Sequence, residues 1–187
     1  MILSTEELAR EVDRAVFPRI QGGPMMHVVA AKAVAFGEAL QPGFDRYAAR
    51  IVENSRALAE TLRRGGMRLV SEGTDTHLML VDLTPLGLTG RRAEEALGKV
   101  NIYVNRNAIP YDPKPPRVTS GLRIGTAALA SRGMGPDEMR QVGKLILQSL
   151  AHIGEEAVER EVAEEVAQLT GRFPVPGITA DMGYPFE

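Results

Sequence analysis

Residues 119–126, TSGLRIGT, carry the arrangement best suited to chemistry: one arginine, Arg123, set between Gly121 and Gly125 in a segment with the composition of a strand. Side chains alternate faces along a strand, so Gly121, Arg123 and Gly125 share one face and Leu122 and Ile124 anchor the other. The expectation is a guanidinium with open space on both flanks, a planar fork suited to bidentate capture of the carboxylate of a small ligand. The competing reading pairs Arg123 with an internal acid. Other chemistry is narrowed by composition. The chain has no cysteine, which removes thiol nucleophiles, disulfides and cysteine metal sites together. His27, His77 and His152 are scattered without a metal-ligand spacing. His77, at the start of a strand-like run, reads as a structural, hydrogen-bonded histidine. His27 lies either near a bound anion or in a subunit interface, and His152 reads as a surface or helix-end residue.

The elements that must position Arg123 follow from periodicity. Residues 1–4 read as the end of a strand, and Ser4 or Thr5 before EELAREVD reads as a helix cap with acids in the first turn. FPRIQGGP, residues 17–24, breaks that helix. Pro24 suits a first helical position, and MMHVVAAKAVAFGEAL after it is apolar nearly all round, so this helix is expected to be buried. Beyond Gln41-Pro42-Gly43, Phe44, Tyr47, Ile51, Ser55, Leu58 and Leu62 recur at three and four, predicting a long amphipathic helix that Gly65-Gly66 stops. MRLVSE and HLMLVDL read as adjacent strands around the turn at Gly73-Thr74-Asp75. Thr89 caps a helix over 90–99, residues 101–104 read as a strand, and 108–116 form a rigid proline-rich loop of the kind that lines sites. A helix begins at Pro136, a last one carries Val158, Val162, Val166 and Leu169, and the tail 173–187 is expected to be loosely held.

Length and charge bound the partners. The 187 residues are 44% hydrophobic with a formal net charge of -2 and no run of five like charges, so neither nucleic acid nor an anionic membrane is expected. No apolar run approaches the roughly 18 residues of a membrane span, and the first residues lack a basic segment followed by an apolar core. The expected location is the cytoplasm.

Three segments, FPRIQGGPMMHVVAAKAV at 17–34, GTDTHLMLVDL at 73–83 and 104–126, resemble in order and spacing the C-terminal part of serine hydroxymethyltransferase, with only the tail running past that family's usual end. The resemblance implies an α/β fold: the C-terminal portion of an aspartate-aminotransferase-like, fold type I enzyme. Its small domain has a short, mainly antiparallel sheet under covering helices. Residues 1–42 would be a remnant of the large cofactor-binding domain, 43–66 a linking helix, 67–172 the small domain and 173–187 the tail. The family interconverts serine and glycine with tetrahydrofolate, uses pyridoxal 5'-phosphate, and forms dimers or tetramers.

Roles follow residue by residue from the resemblance. Arg123 matches the arginine that binds the amino-acid carboxylate. Gly22 and Gly23 match a loop that offers backbone amides to the cofactor phosphate of a neighbouring subunit, a task that bare amides before a helix N-terminus suit; the alternative is a plain helix-start turn. Asn107, Pro115, Pro116 and Arg117 match folate-contacting positions, although family members vary at Arg117, and Asn107 alternatively closes a turn before the prolines. The chemistry also needs a lysine that forms a Schiff base with the cofactor aldehyde. Lys32, Lys99, Lys114 and Lys144 all lack the family's lysine motif, which lies upstream of the matching region. The chain is therefore expected not to hold the cofactor covalently and to be inactive alone. It would act as a homo-oligomer or paired with an N-terminal half; the alternative is a non-catalytic binding or assembly module derived from the family.

Overall fold

The computed structural model describes residues 2–177 and divides into two compact units, Met1–Gln41 and Pro42–Glu187. The first unit is helical. Helix α1, Glu6–Arg14, starts after Thr5, which occupies the cap position without a side-chain capping bond. The stretch 2–5 is not a strand, contrary to expectation. Phe17 takes an extended conformation that interrupts the helical path, as the proline after it requires. Helix α2, Met26–Ala39, begins two residues after Pro24 and has no buried residue. The expected burial fails here because a helix that is apolar on every side needs neighbours on every side, and the unit has none to offer.

The second unit holds the core. Helix α3, Pro42–Arg64, starts at the proline itself, whose missing amide costs nothing in a first turn. It ends before Gly66, which adopts a positive φ of 87°. Strand β1 is only Arg68–Leu69, because Ser71 and Glu72 turn to φ values of 61° and 60° and end the extended run. Strand β2, Leu78–Asp82, pairs with β1 and with β4, Gly121–Gly125; the short edge strand β3, Asn105–Asn107, pairs with β4. All pairings are antiparallel, in the order β1-β2-β4-β3. Residues 101–104, expected as a strand, join no sheet: Asn101 takes φ 62° after helix α4, the Ile102 amide donates back to the Leu97 carbonyl, and Ile102 and Val104 pack against the core.

Helix α4, Gly90–Lys99, is capped by Thr89, whose hydroxyl accepts the Arg92 amide at 3.2 Å. Helix α5, Ala127–Ser131, follows β4, and α6, Pro136–Ala151, and α7, Glu156–Arg172, complete the unit. One face of the sheet presents Leu69, Met79, Val81, Leu122 and Ile124 to Leu58 and Leu62 of α3, Leu97 of α4 and Met139 and Ile146 of α6. Burying each such side chain contributes about 1.5–3 kcal/mol before the entropy of ordering it. The helices thus claim one face of the sheet, and the other face carries Arg123. Residues 178–187, most of the tail expected to be loose, lie outside the described residues; Phe173 before them packs on the core, and its carbonyl accepts from Arg132.

Candidate functional site

The alternation of β4 separates Leu122 and Ile124, buried against the helices, from Arg123, which is exposed on the opposite face. Cross-strand register puts Leu80 on one side of Arg123 and Asn105 on the other. The Arg123 Nη2 donates a long hydrogen bond of 3.5 Å to Asn105 Oδ1. No carboxylate pairs with Arg123 among the described residues, so the internal-acid reading finds no partner there. The flanks are unequal, which corrects the sequence expectation. A Cβ on Gly121 would lie 2.7 Å from both the Val81 carbonyl oxygen and the Ile109 side chain, so that glycine is required by close packing and not by an open flank. A Cβ on Gly125 would meet nothing nearer than the His77 carbonyl at 3.6 Å, so the backbone on that flank is open.

Asn107 pairs with Gly121 two residues along β3, so Asn105 and Asn107 share the face of Arg123. The Asn107 Nδ2 donates to the Ala108 carbonyl at 2.8 Å, which orients its amide at the mouth of the proline loop. Pro115, Pro116 and Arg117 are exposed at a turn in which the Pro115 carbonyl accepts the Val118 and Thr119 amides. Sequence reasoning did not single out the residue that holds this loop. Asp112 accepts the amides of Ile109 at 3.2 Å, Lys114 at 2.9 Å and Ser120 at 2.8 Å, and the Ser120 hydroxyl at 2.7 Å. Desolvation of Asp112 works against its charge, but the Ser120 hydroxyl and the three amides outweigh it and hold the carboxyl down at about 2. The available signal was an aspartate before a proline inside a loop, the composition of a turn closed by its own side chain.

A buried carboxylate sits where β2 ends. Asp82 is ion-paired with Arg68 and accepts the Thr84 amide at 2.8 Å and hydroxyl at 2.7 Å. Burial pushes its carboxyl up, and the Thr84 and Arg68 hydrogen bonds together hold it below the usual carboxylate range. It is a structural pair that pins β1 to β2. His77 is exposed, and its contribution is its backbone: the carbonyl accepts the Thr126 amide at 3.0 Å, contrary to the reading of a hydrogen-bonded ring. The Thr126 hydroxyl also reaches the Ile51 carbonyl at 3.0 Å, tying the end of β4 to α3. His152 lies at the end of α6 with Nδ1 3.0 Å from Glu155 Oε1.

Gly22 and Gly23 belong to the first unit, in an exposed loop before α2 where added Cβ atoms would meet nothing within 4 Å. Their amides make no backbone hydrogen bond among the described residues, which leaves them available to an anion. The second unit therefore places Arg123, Asn105 and Asn107 on one sheet face, with the exposed 115–117 turn on the loop that follows β3, and the first unit carries the glycine pair by itself. Among the described residues no group of three histidine, aspartate or glutamate side chains is disposed to hold a metal, and no helix is long and apolar enough to cross a membrane.

A family model described as serine hydroxymethyltransferase matches residues 3–146. A curated relative, the serine hydroxymethyltransferase of Phenylobacterium zucineum (strain HLK1), is 57% identical over 180 residues, which cover 94% of this chain and 42% of the relative. The chain thus spans less than half the length of the curated relative it matches. On the family match and that identity, the chain belongs to the serine hydroxymethyltransferase family.

Proposed function

We propose that the chain is the C-terminal part of a serine hydroxymethyltransferase of fold type I, acting in the cytoplasm within an enzyme that interconverts serine and glycine with tetrahydrofolate. The observation that carries this reading is the exposed Arg123 guanidinium, without a carboxylate partner among the described residues, beside Asn105 and Asn107 on the helix-free face of the sheet. Arg123 clamps the carboxylate of serine or glycine and neutralises its charge. A planar fork does this with two parallel hydrogen bonds that also fix the Cα substituents in space. Asn107 and the turn at Pro115, Pro116 and Arg117, stiffened from beneath by Asp112, form a wall against which the folate ring system lies.

Pyridoxal 5'-phosphate, when bound, supplies the electron sink for cleavage next to the amino-acid carboxylate. The exposed amides of Gly22 and Gly23, just ahead of a helix N-terminus, fit its phosphate. The aldehyde end has no matching lysine here. Lys32 and Lys144 are exposed on helices, Lys99 faces Glu159 at 3.5 Å, and Lys114 sits in the proline loop. That lysine is contributed by the remainder of the enzyme, and the chain alone is inactive. In this reading 1–42 belongs to the large domain, 43–66 links it to the small domain at 67–172, and 173–187 is an appended tail. The active assembly is a homo-oligomer or a pairing with the N-terminal half.

Mixing the chain with the remainder of the enzyme supplied in trans should restore serine cleavage that neither part has alone. In that mixture Arg123→Ala should weaken serine binding by about 2–5 kcal/mol, and unchanged serine kinetics would reject the role of Arg123. The chain alone should gain no borohydride-reducible lysine adduct with pyridoxal 5'-phosphate. A second reading, a non-catalytic module that assembles with a full-length enzyme, draws on the exposed apolar surface of α2. It predicts binding to the full-length enzyme with no activity restored in trans.

A further inference from the structure

Arg106 lies between the two asparagines of β3 and points to the opposite face, where it pairs in register with buried Leu122. It is gripped there by Glu94 of α4. The Glu94 Oε1 accepts the Arg106 backbone amide at 3.0 Å, and its Oε2 meets Arg106 Nη1 at 3.1 Å. β3 is an edge strand of three residues, so the amide of Arg106 faces outward, away from β4, and is satisfied by a side chain where a further strand would otherwise be needed. A pairing this short frays unless something outside the ladder holds it.

The post that carries Glu94 is rigid. Ala93, Ala96 and Leu97 of α4 are buried on both sides of it. The first turn of α4 docks on the segment leading into β4, where the Gly90 and Arg91 amides donate to the Thr119 and Val118 carbonyls at 3.0 Å each. Gly90 allows that approach, since a Cβ there would lie 2.5 Å from the Gly121 carbonyl oxygen. One helix therefore registers both strands that carry the site. Its N-terminus sets β4, which holds Arg123, and its middle sets β3, which holds Asn105 and Asn107.

We propose that Glu94 is a positioning residue of the carboxylate site: by holding Arg106 through both its amide and its guanidinium, it fixes β3 so that Asn105 braces Arg123 and Asn107 keeps its place beside it. The inference rests on the proposed role of Arg123. It assigns to a side chain on the far side of the sheet control over the affinity for an amino-acid carboxylate.

Two measurements test it on the full chain. In hydrogen exchange, Glu94→Ala should remove protection of the Arg106 amide and weaken that of Asn105 and Asn107. Glu94→Gln, which keeps the Oε1 acceptor, should retain most of it. In the enzyme reconstituted in trans, Glu94→Ala should raise the serine KM on the order of tenfold with a much smaller change in kcat, and Glu94→Gln should recover most of the loss. If Arg123→Ala raises the serine KM and Glu94→Ala leaves it unchanged, the positioning role is wrong while the functional reading stands. If Arg123→Ala itself has no effect, both fall. If Glu94→Ala and Glu94→Gln are equally impaired, with the urea midpoint lowered in parallel, Glu94 merely stabilises the fold and the proposal is overturned.

Discussion

Helices α2 and α6 are of similar length, 14 and 16 residues, and reach opposite outcomes. In α6 Met139, Ile146 and Leu150 are buried in the core with α3 and the sheet, and Leu145 is buried beside them against Val162 and Val166 of α7. In α2 the apolar residues surround the axis and none is buried; Val34 and Phe36 remain 63% and 69% exposed. A stripe can be satisfied by one neighbouring layer, which the second unit builds from its own residues. A helix that is apolar all round needs a layer on each side, and that material must come from outside the unit. The contrast separates a unit that buries its apolar residues in its own core from one whose apolar helix stays exposed.

Substitutions in the two units should part company most sharply in the core. Leu122→Ala, at a site 1% exposed, should cost about 2–5 kcal/mol in urea unfolding of the second unit, whereas Phe36→Ala on α2 should stay within about 0.5 kcal/mol. Equal costs would erase the distinction. The next largest effect belongs to the loop. Asp112→Ala strips four hydrogen bonds from one carboxylate and should cost about 1–3 kcal/mol, with faster exchange at the Ser120 amide.

The same carboxylate sharpens the comparison through pH. Because its folded pKa is depressed from 3.8 to about 2, its contribution is full above the unfolded value and is lost as pH falls from about 4 to about 2. The difference in urea midpoint between the unsubstituted chain and Asp112→Ala should therefore shrink across that window, and a constant difference would contradict the hydrogen-bonding account. Smaller in stability but diagnostic is the surface of α2. The chain should self-associate or bind a hydrophobic dye, and Val34→Ser with Phe36→Ser should lower dye binding without moving the urea midpoint by more than about 0.5 kcal/mol. The least effect on folding should come from exposed Arg123→Ala, within about 0.5 kcal/mol, even though it is expected to remove serine binding.

Much of the second unit was legible residue by residue. Helix 90–99 with its Thr89 cap, the β4 segment around Arg123 and the start at Pro136 all follow from local signals, because caps, prolines and period-two alternation act within a few residues. Boundaries failed where backbone torsion intervened: Ser71 and Glu72 shorten β1 through positive φ, and Asn101 delays β3. The site was half legible. Arg123 and Asn107 stood out by type and spacing, but Asn105 matters only through register with Arg123, and Asp112 and Glu94 act through partners that no periodicity marks.

By itself, the sequence determined the family, the alternation that exposes Arg123 and buries Leu122 and Ile124, and the apolar character of α2. Each of these is local or compositional. Only tertiary structure decided that Gly121 is closed by Ile109 and the Val81 carbonyl while Gly125 is open, that the helices take one face of the sheet, and that Glu94 reaches Arg106. Those outcomes depend on which distant backbone segments meet, and contacts between residues far apart in the chain are set by the packing of whole layers.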